Sequence, residues 1–224
     1  GLAGMSWIET CRMWKEKYPV VLPKHFAHSD EEPANVYAMI KEISSRLEEG
    51  QITVVGNGSA CVVGGHAWVI KKGQRFITNS AIAAMGYDLP AAIGVWAASR
   101  DQQCYHQGDR ATGKDLILLT GDGSIQMNLQ ELQTIIHHEM NIKIFLINNG
   151  GYHSIRQTQK NFFGEPLVGI GVDSGDLSFP CLEELAHAYG YPYRAARHNS
   201  QLSRAVEETL DLEGPVICEV FVSM

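Results

Sequence analysis

The stretch Leu116-Ile117-Leu118-Leu119-Thr120-Gly121-Asp122-Gly123-Ser124 decides the fold. Its four leading residues are apolar at every position, so a strand there is covered on both faces rather than on one. Two glycines then permit a tight turn, and an amphipathic pattern follows over 125–138. Strand, turn and helix in succession form the repeating unit of a parallel sheet. Outward from it, strands are expected at 52–55, 75–78, 142–148 and 215–222, with helices at 89–99, 182–189 and 201–210 between or beyond them. A further helix is expected over 34–49, where Val36, Met39, Ile40, Ile43 and Leu47 share one face and Gly50 ends the run. The expected fold is therefore α/β, a doubly wound parallel sheet with helices on both faces. It forms a single domain over 34–224, preceded by a connector at 1–33 that mixes Trp7, Trp14 and Tyr18 with lysines and prolines. The stretch 157–179 shows no clear period and reads as a long loop.

Composition narrows the function. The 224 residues are 45% hydrophobic and 19% charged, the profile of a globular protein. A net charge of −7 argues against a nucleic-acid or anionic-membrane surface, so an anionic ligand would need local amides or a metal. No stretch approaches the length of a membrane span. No secretory signal pattern opens the chain, and a cytoplasmic location is expected. The five cysteines lack any C-x-x-C pair and read as reduced, mostly buried thiols.

The chemistry concentrates at two turns. After Gly121-Asp122-Gly123-Ser124, the first helical amides point out of the carboxyl edge of the sheet, where they can receive an anion. The next strand ends in Asn148-Asn149-Gly150-Gly151-Tyr152, beside the first turn. Asn149 can offer an amide oxygen and Gly151 a backbone carbonyl to a cation beside the Asp122 carboxylate. With two diphosphate oxygens and a water these make an all-oxygen set of six, which suits Mg2+. Gly-Asp-Gly-Ser alone is an ordinary turn, as is Asn-Gly. Their placement at the ends of successive apolar strands gives them meaning together.

The span from Gly121-Asp122-Gly123-Ser124 to Asn148-Asn149 resembles the G-D-G…N-N signature of thiamine-diphosphate enzymes. Met127-Asn128-Leu129-Gln130-Glu131-Leu132 is similar to the helix that follows that motif in acetolactate synthases. Upstream, 83–94 resembles the family's G-A-M-G-F-G-L-P-A-A-I-G segment, with Ala83 where Gly is usual. Gly56-Asn57-Gly58-Ser59-Ala60 occupies the family's other diphosphate-contacting turn, although acetolactate synthases usually carry Gln-His near Ser59-Ala60. The connector 14–19 is also similar to theirs.

The resemblance implies thiamine diphosphate and Mg2+ as cofactors, with Asp122, Asn149 and Gly151 as the metal ligands. It implies diphosphate contacts at Gly58, Ser59, Gly121, Gly123 and Ser124, with Tyr152 beside the metal turn. The Ala83 carbonyl would meet the aminopyrimidine, and Met85 would hold the two cofactor rings bent against each other. The implied activity is decarboxylation or carboligation of 2-oxo acids. The glutamate that activates the cofactor belongs to a pyrimidine-binding domain, of which no segment is present here. No catalytic residue is therefore expected in this chain, which should be inactive alone and assemble as a homodimer or higher. Arg156 reads as a solvated surface arginine or as a partner for a carboxylate, His153 as an exposed loop histidine or a proton donor, and Thr158 stands where acetolactate synthases often have Trp. Two rival readings exist. One is a Rossmann-type NAD-binding domain, opposed by the absence of a third glycine at Cys61. The other is a non-catalytic assembly or regulatory module that kept the fold.

Overall fold

The computed structural model describes residues 6–27, 29–100 and 114–223. Seven strands form one sheet there: β1 (Ala34–Asn35), β2 (Ile52–Val55), β3 (Arg75–Thr78), β4 (Leu116–Gly121), β5 (Ile142–Asn148), β6 (Tyr193–Ala196) and β7 (Val216–Ser223). Every pairing is parallel. The order runs β3-β2-β4-β5-β7, and β6 and β1 share the outer edge of β7, against 217–220 and 222–223.

Alternation along the strands builds two cores. Ile117, Leu119, Phe145 and Val220 face the helices Val36–Arg46, Ser59–Ala67 and Asn199–Asp211. Leu116, Leu118, Ile144 and Ile217 face the helices Asp88–Arg100, Glu131–His137 and Leu182–Tyr189. The sheet is doubly wound, with helices on both faces, as the apolar runs predict. From β2 the chain first goes to β3 on one side and then to β4 on the other. The carboxyl ends of β2 and β4 therefore flank the crevice where open α/β sheets take their ligands.

Several expectations are corrected. The helix expected at 34–49 spans Val36–Arg46, because Ala34 and Asn35 pair with β7 and Asn35 Oδ1 caps the amides of Tyr37 and Ala38. All five residues of its expected inner face are buried. The helix expected at 125–138 is broken into Asp122–Ile125, a 3-10 turn Gln126–Asn128, and Glu131–His137. The tightened middle puts Asn128 against Gly86, whose carbonyl accepts the Asn128 amide at 2.6 Å.

The helix Ser59–Ala67 was hidden by two glycines and two valines, poor helix formers. Gly64 is there for packing: a Cβ would sit 3.2 Å from the Phe76 ring. The loop expected at 157–179 begins inside the helix His153–Phe162. Residues 6–27 hold the helices Trp7–Lys17, opened by a Ser6–Glu9 capping box, and Pro23–Phe26. Both are largely exposed. Cys11 and Cys181 are also exposed, against the expectation of mostly buried thiols, while Cys218 is buried. Cys104 lies outside the described residues.

Candidate functional site

At the carboxyl edge of β2, β4 and β5, three turns line a cleft of about 100 Å³. In-register pairing of Gly121 with Ile147 brings the β4 and β5 turns level. Asp122 Oδ1 accepts from Gly123 N at 2.8 Å and Oδ2 from Gly151 N at 2.9 Å. Burial pushes its carboxyl up to about 6, and the amides of Gly123, Gly151, Asn149 and Gly150 only partly offset that. A buried carboxylate without a cationic side chain beside it has an unmet need for positive charge.

Asn149 supplies the complement. Its Nδ2 donates to Ser59 Oγ at 3.3 Å, while its Oδ1 is buried without a hydrogen-bond partner among the described residues. An unpaired buried acceptor costs about 1–3 kcal/mol, and a cation in the cleft would relieve it. The Gly151 carbonyl accepts from His153 N at 3.1 Å, leaving a second lone pair. No group of three or more His, Cys, Asp or Glu side chains gathers among the described residues to hold a metal.

Asp122–Ile125 is too short to present a row of free helical amides, and Gly123 N is committed to Asp122. The helix Ser59–Ala67 also begins at the cleft, and its start has no side-chain cap. Gly58 precedes it at φ 59°, ψ −133°, a conformation open to glycine.

Met85, Gly58, Ser59, Gly121, Asp122, Gly123, Ser124, Asn149, Gly151 and Tyr152 all line the cleft. Ala83 does not; it is exposed, in the left-handed region at φ 53°. That backbone strains the Ala83 Cβ, a strain that glycine at this place would not have. Ser124 Oγ accepts from Gly86 N at 2.9 Å and so ties the Met85 loop to the β4 turn. The Tyr152 ring underlies Gly123, where a Cβ would lie 2.3 Å from it, and meets Phe179 edge-on at 5.8 Å.

His153 lines the cleft instead of standing exposed, and its imidazole is pushed down by burial first and by Arg156 second. Arg156 is not a free surface group: it pairs with Asp173 at 2.8 Å. Thr158 is exposed and spends its hydroxyl on Ser154 O.

Sequence reasoning passed over two buried carboxylates behind the turns. Asp88, fully buried, accepts from the Thr120 hydroxyl and crowds Gly56, where a Cβ would be 2.6 Å from its Oδ2. Glu219, 4% exposed, holds Asn148. Each is a lone acid in an apolar run, which was the available signal.

An all-parallel sheet with a cleft at its switch point, where a buried carboxylate stands near a buried, unpartnered amide oxygen, defines an α/β ligand-binding domain. Residues 56–220 match the family described as the thiamine pyrophosphate enzyme, C-terminal TPP binding domain. The chain is 30% identical over 224 residues to the acetolactate synthase large subunit of Cyanidium caldarium, covering 97% of this chain and 34% of the relative. It is 27% identical over 221 residues to the chloroplastic acetolactate synthase 2 of Nicotiana tabacum, covering 97% and 31%. It is 22% identical over 215 residues to the isozyme 1 large subunit of Escherichia coli, covering 96% and 34%. The chain belongs to the thiamine pyrophosphate enzymes, as their C-terminal TPP-binding domain. It spans about a third of the length of these curated relatives. Thiamine diphosphate and Mg2+ are the cofactors that this membership implies. Among the described residues no helix is long and apolar enough to cross a membrane.

Proposed function

We propose that this chain is the diphosphate- and Mg2+-binding domain of an acetolactate synthase-like enzyme that decarboxylates or ligates 2-oxo acids. The observation that carries this reading is the buried, unpartnered Asn149 Oδ1 in the same cleft wall as the Asp122 carboxylate. Asp122, Asn149 and the Gly151 carbonyl would hold Mg2+. Gly58, Ser59 and the amides that open the Ser59 helix would receive the diphosphate, with Gly121, Gly123 and Ser124 shaping the opposite wall. Ala83, outside the cleft, would offer its carbonyl to the aminopyrimidine, and Met85 would press between the rings. Tyr152 forms the floor under Gly123.

When bound, thiamine diphosphate supplies the electron sink for cleavage next to the 2-oxo acid carbonyl. This chain's own residues bind, orient and neutralise charge, and none of them is assigned proton transfer. The activating glutamate is expected from a pyrimidine-binding domain in the same full-length chain or a partner subunit. The chain alone would then be inactive and the working enzyme a homodimer or larger. Residues 1–33 fit a connector into this domain, and a cytoplasmic location belongs to the same reading.

Losing ~4 kcal/mol of pyrimidine contacts weakens cofactor binding about a thousandfold, so the test supplies that domain in cis or in trans. Calorimetric titration of thiamine diphosphate with Mg2+ should give saturable binding that Asp122→Ala abolishes. Unchanged binding in the variant would overturn the assignment. With pyruvate, the isolated chain should show no turnover.

A further inference from the structure

The guanidinium of Arg156 turns back from the helix His153–Phe162 onto the turn that precedes it. Nη2 donates to Gly150 O at 3.1 Å and Nη1 to Asn149 O at 3.4 Å. Its other edge is taken by Asp173, with Nε to Oδ2 at 2.8 Å and Nη2 to Oδ1 at 2.9 Å. Asp173 sits in the 3-10 turn Val172–Ser174, in a strand-like crossing of the same turn. There Gly151 and Gly171 form an antiparallel bridge, and Tyr152 N donates to Ile170 O at 2.6 Å.

The peptide unit between Gly150 and Gly151 is the point of contact. Its carbonyl accepts from Arg156, and its N–H donates to Asp122 Oδ2. A peptide is a rigid plane, so fixing the carbonyl fixes the direction of the N–H. A charged donor on the carbonyl also polarises the N–H and strengthens its bond to the carboxylate. The neighbouring carbonyl of Asn149, also held by Arg156, fixes the backbone from which the orphaned Oδ1 projects.

We propose that Arg156, seated by Asp173, is a positioning residue that sets the Gly150–Gly151 peptide and, through it, aims the Asp122 carboxylate and the Asn149 amide at the divalent cation. This rests on the cation site described under the proposed function. The planar fork is essential, because four acceptor atoms on two sides cannot be met by the single ammonium of lysine. Arg156 bonds only to this turn and to Asp173 among the described residues, so the role assigned to it acts through them.

The test uses Mn2+ as probe in the full protein with thiamine diphosphate, reading free and bound ion by electron paramagnetic resonance. Asp122→Asn should remove the tight Mn2+ site; if it binds as the native protein does, the cation site itself is refuted. With that control in place, Arg156→Met and Arg156→Lys should each weaken Mn2+ at least tenfold and broaden the bound-ion spectrum. Asp173→Asn should give a smaller loss in the same direction. Added guanidinium ion should restore Arg156→Met but not Asp122→Asn, a rescue that a merely structural defect would not show. Loss in Asp122→Asn with Mn2+ binding in Arg156→Lys and Asp173→Asn within twofold of native would overturn the positioning role while leaving the cation site standing.

Discussion

Asn148 donates from Nδ2 to Glu219 Oε1 at 2.6 Å, and its Oδ1 accepts from Gly150 N at 3.0 Å. A carboxylate on β7 thereby braces the β5 turn from the sheet side, opposite Arg156. Tyr193 OH donates to the second oxygen, Glu219 Oε2. Glu219→Leu leaves both half-buried donors without this acceptor, at up to about 1–3 kcal/mol each. Chemical denaturation should show a loss of that order, with a weaker Mg2+-dependent affinity for thiamine diphosphate. Glu219→Gln, which still accepts one bond, should lose distinctly less. Equal stability of Glu219→Leu and the native protein would show that the brace contributes nothing.

Adjacent glycines in the same turn should respond very differently. A Cβ on Gly151 would lie 2.1 Å from Ile170 O and 2.7 Å from Gly171 Cα, both backbone, at φ 140°. On Gly150, at φ 70°, it would meet nothing within 4 Å. Gly150→Ala should cost about 1–2 kcal/mol, the left-handed strain alone. Gly151→Ala must open the Gly151–Gly171 bridge and should abolish metal-dependent cofactor binding. Comparable binding by the two variants would contradict this geometry.

The sheet and its two-sided covering were legible because β4 and β5 are apolar at successive positions, and only double burial explains that pattern. Asp122 and Asn149 were legible because they end neighbouring strands. What escaped was set by tertiary contact. The Ser59–Ala67 helix has weak propensity and stands on packing of Gly64 against Phe76. The 125–138 period conceals a break that brings Asn128 to Gly86. The sequence does not reveal that Arg156 is paired, because its partner Asp173 lies in a segment without periodicity. β6 is four residues held by β7, too short to mark itself.

Ala83 holds φ 53° with a Cβ, a conformation that costs an L-residue roughly 1–2 kcal/mol. Glycine removes that strain but gives the unfolded chain more freedom, about 0.4–1 kcal/mol in the other direction. Ala83→Gly should therefore leave stability level or raise it by up to about 1.6 kcal/mol, unlike a typical Ala→Gly change. Thermal unfolding checks the sign. A loss beyond 1 kcal/mol would mean that Ala83 does not hold the left-handed form.

The Asp122 carboxyl, ordinarily near 3.8, is pushed up to about 6 by burial, so the metal-free fold favours its protonated form. An acid raised on folding contributes stability that is complete below its unfolded value and is lost as pH rises through its folded value. Metal-free protein in EDTA should therefore lose thermal stability from about pH 4 to just above about pH 6 relative to Asp122→Asn, which lacks the step. A divalent cation takes the ionised form, so protonation competes with it. Stabilisation by Mg2+ with thiamine diphosphate should grow over the same window and be weak at its acid end. If metal-free native protein gained stability across that window relative to Asp122→Asn, the carboxylate would be satisfied without a cation, and the orphaned oxygen of Asn149 beside it would need another partner.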